Sequence, residues 1–356
     1  FSLFLILAGT RTAEIEGISA AGATPESRRF TALADAEFLL KGPLKNRKWQ
    51  LPDLPAGISP AIISYAASKL IGITPLILPV GLSQSPPFPH LRVDAPPYGP
   101  SKCISTGKAM NISRVYSLWK EGFNLGLKIN KPLVIAECVP GGTTTAQAVL
   151  TGFGLQVSEL VSGSSIKPPI DIKQSLVEEG LSAANLGTCP SSKQLISAIG
   201  DPFQPLAAGL LLGARYAGQS VLLAGGSQMI AVLSLALGDL KPSLRASFAE
   251  GVAIATTSWL FEEGGSSSDG FCESNISRLI KLVEKHFKVK LFGFASGLRF
   301  DKTNCQPLRD YEKGYVKEGV GAGALSFLAE LQGISCDDLI IECENCVSLL
   351  KNKILP

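Results

Sequence analysis

Six apolar runs of strand length punctuate the chain: Leu3 to Ala8, Pro75 to Val80, Leu133 to Ala136, Val221 to Ala224, Gly251 to Thr256 and Val289 to Phe294. Most are followed by a Gly or Ser turn, and helix-period segments lie between several of them, at Ala61 to Leu70, Ile112 to Leu127 and Leu206 to Ala217. Strands that alternate with helices predict an α/β fold, a doubly wound, mainly parallel six-stranded Rossmann-like sheet. Ligands of such sheets collect beyond the carboxyl ends of the strands, so the turns after the runs are where chemistry is sought.

The richest turn lies in Pro132 to Gly154, P-L-V-I-A-E-C-V-P-G-G-T-T-T-A-Q-A-V-L-T-G-F-G. The pattern predicts a doubly covered strand ended by Glu137, a tight turn at Pro140, Gly141 and Gly142, and a helix from about Thr144 to Leu150 capped by one of the threonines. The unpaired N–H groups of a helix's first turn attract anions, which makes Gly141, Gly142, Thr143 and Thr144 candidate substrate ligands. A carboxylate at the mouth of an anion cradle is unfavourable unless it has a partner or a task, and this singles out Glu137. Accepting hydrogen bonds from loop amides is its plain alternative. Val221 to Leu237 repeats the design, with Gly225, Gly226 and Ser227 as a second turn of the same kind.

Tyr311 to Glu330 carries Glu318 just before Gly319, Gly321 and Gly323, with only Val and Ala between them. Small residues in this pattern leave room for a flat ligand against the backbone. A carboxylate desolvated beside an apolar ring gains the raised pKa of a general base. An acid stabilised by a helix dipole is the alternative reading of Glu318.

Elsewhere, Thr24, Pro25 and Glu26 mark a helix start. Lys41 to Gly57 reads as an exposed connection, and Ser83 to Lys102 as a long proline-rich loop. Lys108 is a candidate phosphate contact or a solvated lysine, and Gly264 to Gly270 is a surface turn. Phe1 to Ala8 lacks a basic leader and a cleavage site, and Gly9-Thr10-Arg11 follows too soon for a membrane span, so the segment reads as a first buried strand. Without an initiating Met, a few residues are expected to precede it.

Composition narrows the function classes. Hydrophobic residues make up 46% and charged ones 18% of the 356, which is the balance of a compact enzyme. A net charge of +3 with scattered basic residues gives no nucleic-acid footprint. Of eight cysteines, only Cys343 and Cys346 have CxxC spacing, and the chain's two histidines, His90 and His286, supply no zinc set, so reduced thiols of a cytoplasmic protein are expected. No phosphate-binding G-x-x-x-x-G-K-[ST] occurs, nor a G-x-G-x-x-G with an acid about 20 residues on, which argues against a nucleotide kinase or an NAD oxidoreductase. Paired acids after a strand, the mark of a metal-dependent phosphoribosyl-diphosphate site, are also missing, since Asp337-Asp338 precedes an apolar run.

Glu137 to Thr144, E-C-V-P-G-G-T-T, resembles the E-M-G-I-G-N-T-T signature of nicotinate-nucleotide:dimethylbenzimidazole phosphoribosyltransferases. Lys317 to Ala322, K-E-G-V-G-A, resembles that family's later G-E-G-T-G-A. The stretch from Gly200, G-D-P-F-Q-P-L-A-A-G-L-L-L-G-A-R, also fits in order and spacing. The match is fullest with the divergent archaeal and cyanobacterial branch, whose members share the I-S-A-A-G-A-T-P-E segment as well. The resemblance implies Glu318 as catalytic base and Glu137 as its partner. It adds Lys317, Gly319 and Gly321 to the substrate ligands, with nicotinate mononucleotide and an aromatic base, dimethylbenzimidazole or adenine, as partners and with no metal or cofactor. It further implies a homodimer and one catalytic unit over 1–356. This unit would have a large α/β domain at about 60–295 and a smaller helical domain built from both chain ends, 10–59 and 296–356. A non-catalytic nucleotide-binding homologue, or an enzyme using another base or ribosyl donor, fits the same motifs.

Overall fold

The computed structural model of the chain describes residues 1–356 apart from 44–45, 95–97, 162, 164, 268–269, 272 and 352–356. Expectations that fall on Pro96, Pro97, Cys272 and the centre of the Gly264 to Gly270 turn therefore lie outside the described residues. The first half runs β1 (Ser2–Ala8), α1 (Pro25–Lys41), α2 (Ala61–Leu70), β2 (Leu76–Val80), α3 (Ile112–Leu127), β3 (Leu133–Cys138), α4 (Gly142–Gly152), α5 (Ile170–Ala184) and α6 (Ser192–Ile199). The second half runs α7 (Phe203–Tyr216), β4 (Val221–Ala224), α8 (Ser227–Asp239), α9 (Pro242–Ala249), β5 (Val252–Thr256), α10 (Ser258–Glu262), a short hairpin of β6 (Ser266–Ser267) and β7 (Gly270–Phe271), α11 (Asn275–Phe287), β8 (Phe292–Ala295), α12 (Gln306–Arg309), α13 (Ala322–Leu331) and α14 (Cys336–Lys351).

Six strands form one parallel sheet in the order β2-β1-β3-β4-β5-β8. The continuous apolar runs follow from its two covered faces. Along β1, Phe4, Ile6 and Ala8 enter one core, with α3, α4, α7 and α8 over them. Leu3, Leu5 and Leu7 enter the other, with α1, α2, α13 and α14. Helices from both chain ends thus share the second layer. The expected run Val289 to Phe294 forms its strand later, at Phe292, because the left-handed Lys288 ends α11 and the N–H of Val289 bonds back to the Glu284 carbonyl. β8 is an edge strand whose Phe294 ring stacks on Phe327 at 5.2 Å.

The connection Lys41 to Gly57 departs from its exposed reading. Buried Glu37 of α1 accepts the N–H groups of Lys48 and Trp49, and the Arg47 guanidinium lies over the Phe38 ring. This holds Pro52, Leu54 and Ser59 against the sheet's carboxyl end, at the topological switch between β1 and β3.

α3 and α7 touch through glycine. A Cβ on Gly122 or Gly126 of α3 would fall within 2.4 Å of the α7 backbone, and one on Gly209 or Gly213 within 2.1 Å of α3 carbonyl oxygens. The two backbones are in contact with no side chain between them. Gly213→Ala should therefore lower stability by about 1–3 kcal/mol through overpacking. A denaturant titration should show a lower midpoint with the slope unchanged; an unmoved midpoint would mean that the helices separate without cost.

Candidate active site

β3 carries its strand pairing to Cys138, two residues beyond the expected end, so Glu137 lies inside the strand, 5% exposed. Its Oε2 accepts the N–H of Val139 at 3.0 Å, and the Gln228 side chain reaches it from the first turn of α8. Gly141, at φ 78°, turns the chain into α4 and takes the cap position, with no threonine side chain capping. A Cβ on Gly141 would press on the Ala13 backbone just after β1, and one on Gly142 would meet the Gln228 side chain. These glycines are needed because the ends of β1, β3 and β4 converge here. Thr145 donates to buried Asp201, tying α4 to the start of α7, while Thr144 is fully buried.

Glu318 reaches the same point from the loop before α13. Its Oε2 accepts the Thr256 hydroxyl at 2.9 Å and the Thr257 N–H at 2.8 Å; its Oε1 accepts the N–H groups of Gly319 at 2.9 Å and Gly323 at 3.3 Å. Burial raises its pKa, and these four donors act against the rise. For Glu137, burial and the neighbouring Glu318 charge push the pKa up to about 8 against fewer donors. Two interacting buried carboxyls cannot both ionise cheaply. Burial and the Glu318 charge thus favour the protonated form of Glu137, while four donors favour the charged form of Glu318.

The loop is built on unusual backbone. Val316, Lys317 and Val320 take left-handed φ of 66°, 64° and 55°. Non-glycine residues in that region, above all β-branched ones, need enforcement by their surroundings. Here the Val320 N–H donates to the Glu137 carbonyl at 3.0 Å and Ser64 donates to the Val320 carbonyl at 2.9 Å. Of the small residues after Glu318, Gly321 and Gly323 serve packing, while Gly319 lines the cleft. A Cβ on Gly321 would stand 2.9 Å from that of Ala136, and one on Gly323 would strike the Thr256–Thr257 backbone.

A cleft of about 800 Å³, counted with its solvent-open part, runs over this junction. One end is walled mainly by apolar groups, among them Ile18, Ala20, Ala21, Leu54 and Pro60, and holds Asp35. An adjoining recess adds Gly226, Ser227, Leu260, Val316 and Lys317. Glu137, Thr143, Gln228 and Glu318 border both. Of the candidate residues, Glu137, Glu318, Gly141, Gly142, Thr143, Gly226, Ser227, Lys317 and Gly319 thus line this space. Thr144, Gly225 and Gly321 support it from behind. Lys317 Nζ pairs with Glu263 at 2.5 Å and donates to the carbonyls of Gly163 and Ser165, which fixes that wall. Buried Lys173 stands beyond the same wall, its pKa lowered to about 8 by desolvation. Lys108 is exposed and lies away from the cleft.

Three contributors escaped the sequence reading. Gln228 stands in the second strand-turn-helix motif, where its neighbours in sequence give it no role. Asp35 sits among alanines in mid-helix, with no motif beside it to mark it. Arg28, 6% exposed, donates to the carbonyls of Ala13, Ile15 and Gly22 and so shapes the wall at Ile18 to Ala21; its signal was a second arginine just inside a helix start. Among the described residues no three His, Cys, Asp or Glu side chains gather as metal ligands would, and no helix is long and apolar enough to cross a membrane. Cys343 and Cys346 are buried in α14, and desolvation raises both thiols, Cys346 to about 12.

The Glu137 proton has a thermodynamic signature. Between its ordinary 4.5 and about 8, the native protein keeps a proton that the unfolded chain releases, so stability falls as pH rises through that interval. Asp35 and Asp201, each raised to about 6 by burial, act with the same sign but only up to that pH. Denaturation midpoints of the wild type should keep falling from pH 6 to 8, and Glu137→Gln should flatten this part of the curve. A variant whose curve parallels the wild type would mean that Glu137 is already ionised at neutral pH.

No family model matches the chain. A UPF0284 protein of Prochlorococcus marinus strain MIT 9313 is 59% identical over 350 residues, covering 98% of this chain and 86% of its own length. One from Parasynechococcus marenigrum strain WH8102 is 51% identical, covering 98% and 87%, and one from Rippkaea orientalis strain PCC 8801 is 38% identical, covering 97% and 92%. Among solved structures, CobT from Thermus thermophilus superposes with a TM-score of 0.62 at 16% identity, over 95% of this chain and 83% of that one. A nicotinate-nucleotide-dimethylbenzimidazole phosphoribosyltransferase structure from the same organism gives 0.61 at 17%, over 95% and 82%. The doubly wound parallel sheet is thus the fold of those transferases, and the chain belongs to the UPF0284 family.

Proposed function

We propose that the cleft moves the ribose 5-phosphate of nicotinate mononucleotide onto a ring nitrogen of an aromatic base, giving an α-riboside 5′-phosphate of the kind used as a cobamide lower ligand. The observation that carries this reading is the meeting of Glu318 and Glu137 on the border of two adjoining recesses, one walled by Ile18 to Ala21 and the other by Lys317 and the first turn of α8. A base fits the first recess. Phosphate and ribose fit the second, where the first turns of α4 and α8 offer N–H groups and positive dipole ends.

Glu318, the ionised member of the pair, takes the N–H proton of the incoming base. The other ring nitrogen donates its electron pair to the anomeric carbon from the face opposite nicotinate. The bond to nicotinate breaks as that carbon is attacked, and its electrons neutralise the pyridinium nitrogen. A cationic leaving group of this kind departs without pyrophosphate or Lewis-acid help. Glu318 spends its lone pairs on four donors, so it accepts a proton by releasing the rotatable Thr256 hydroxyl or the long contact to Gly323. Protonated Glu137 donates to the ribose or the base, and Lys317 keeps the wall closed around them.

Glu318→Gln should lower turnover about 100-fold or more, within the range of a lost general base, with folding intact. Glu137→Gln keeps a neutral hydrogen-bonding group and should cost less. The assay is nicotinate release and riboside phosphate formation from nicotinate mononucleotide and a base, read by mass spectrometry. A folded Glu318→Gln protein of normal rate would remove the assignment.

A further inference from the structure

One acid in the cleft takes no part in this chemistry. Asp35 projects from α1, 3% exposed, into the recess walled by Ile18, Ala20, Ala21, Leu54 and Pro60. Its Oδ1 accepts the Ser59 hydroxyl at 2.6 Å, and its Oδ2 has the Cys138 thiol at 3.4 Å, a weak donor at long range. A carboxylate has room for about four hydrogen bonds, so Asp35 retains acceptor capacity towards the cleft. Desolvation by burial raises its pKa to about 6, against the Ser59 and Cys138 donors.

A carboxylate in that position treats two kinds of base differently. A base presenting methyl groups would seal the carboxylate away from water with nothing to bond. A base presenting an N–H group would replace the lost water. Buried polar groups left unpaired are expensive, and sites built around them reject ligands that lack the matching donor far more strongly than apolar pockets reject a methyl. From this juxtaposition we propose that Asp35 is the specificity residue of the base recess and selects an acceptor with an N–H donor on the edge remote from the attacking nitrogen. The assignment rests on the transferase reading for which end of the cleft holds the base. The structural task of Asp35, holding Ser59 and through it the Ala61 N–H at the start of α2, coexists with this one.

The test compares aminobenzimidazole with methylbenzimidazole, which share the attacking ring and differ in one donor. The wild type should bind the amino base, and turn it over in kcat/KM, at least ~10-fold better than the methyl base. Asp35→Asn and Asp35→Ala should abolish that preference and raise relative use of the methyl base, whereas a purely structural loss would lower both bases equally. Equal use of the two bases by the wild type would overturn the proposal without needing any variant. Equilibrium binding separates the two readings. An amino preference in binding with no product from either base would sustain Asp35 and sink the transferase, while product from both bases with no preference would sustain the transferase and sink Asp35.

Discussion

A backbone hydrogen bond from Val320 N–H to the carbonyl of Glu137 joins the loop before α13 to the centre of the sheet, beside the bonds from Thr256 and Thr257 to Glu318 and Lys317. It bridges segments more than 180 residues apart in sequence, 137 and 320, and brings two carboxyls into one partly dry space. Making it puts three non-glycine residues in left-handed backbone, at a cost on the order of 1–3 kcal/mol each. Burial of the Val316 and Val320 side chains, at 5% and 1% exposure, offsets part of that strain, as does the bond from Ser64. A loop free to relax would take ordinary backbone and withdraw Glu318 from Glu137.

Unequal solvation then divides the labour between the two acids. Four donors surround Glu318, two from the end of β5, one from the first turn of α13 and one from the loop's own Gly319. Glu137 has Val139 and Gln228. The surroundings thus favour charge on one carboxyl and a proton on the other. Gln228 belongs to this arrangement as much as the acids do, since its side chain occupies the space that a Cβ on Gly142 would need.

Much of this was legible in the sequence, for identifiable reasons. The strands were legible because both faces of a parallel sheet are covered and their runs are continuous; Val221–Ala224 and the helices Ala61–Leu70 and Ile112–Leu127 fell where the pattern put them. The Thr24 cap was legible because its chemistry is local, a capping box closed by Ser27. The glycine turns near Glu137 and Glu318 were visible as motifs, but the reason for each glycine was not. Gly321 and Gly323 look like space for a ligand until the sheet's edge fills that space. The connection Lys41 to Gly57 read as exposed because partners for it lie on α1, in Glu37 and the Phe38 ring, and at Asp310, none of which the pattern of its own residues reveals.

Asp35 was the least legible residue because nothing near it in sequence hints at a cleft. It sits among alanines in A-L-A-D-A-E, where an acid ordinarily faces water. Only packing α1 across the ends of β1 and β3 turns it inward, against Ser59 from the connection and Cys138 from β3. The two halves of the cleft consequently have different origins. Both candidate acids come from β3 and from the loop locked to it. The half around Asp35 comes mostly from α1 and the segments on either side of it. A change at position 35 or along Ile18 to Ala21 therefore alters one wall of the cleft while Glu137, Glu318 and the bond between Val320 and Glu137 stay as they are, so that under the proposed function the choice of base and the chemistry of transfer would be separable.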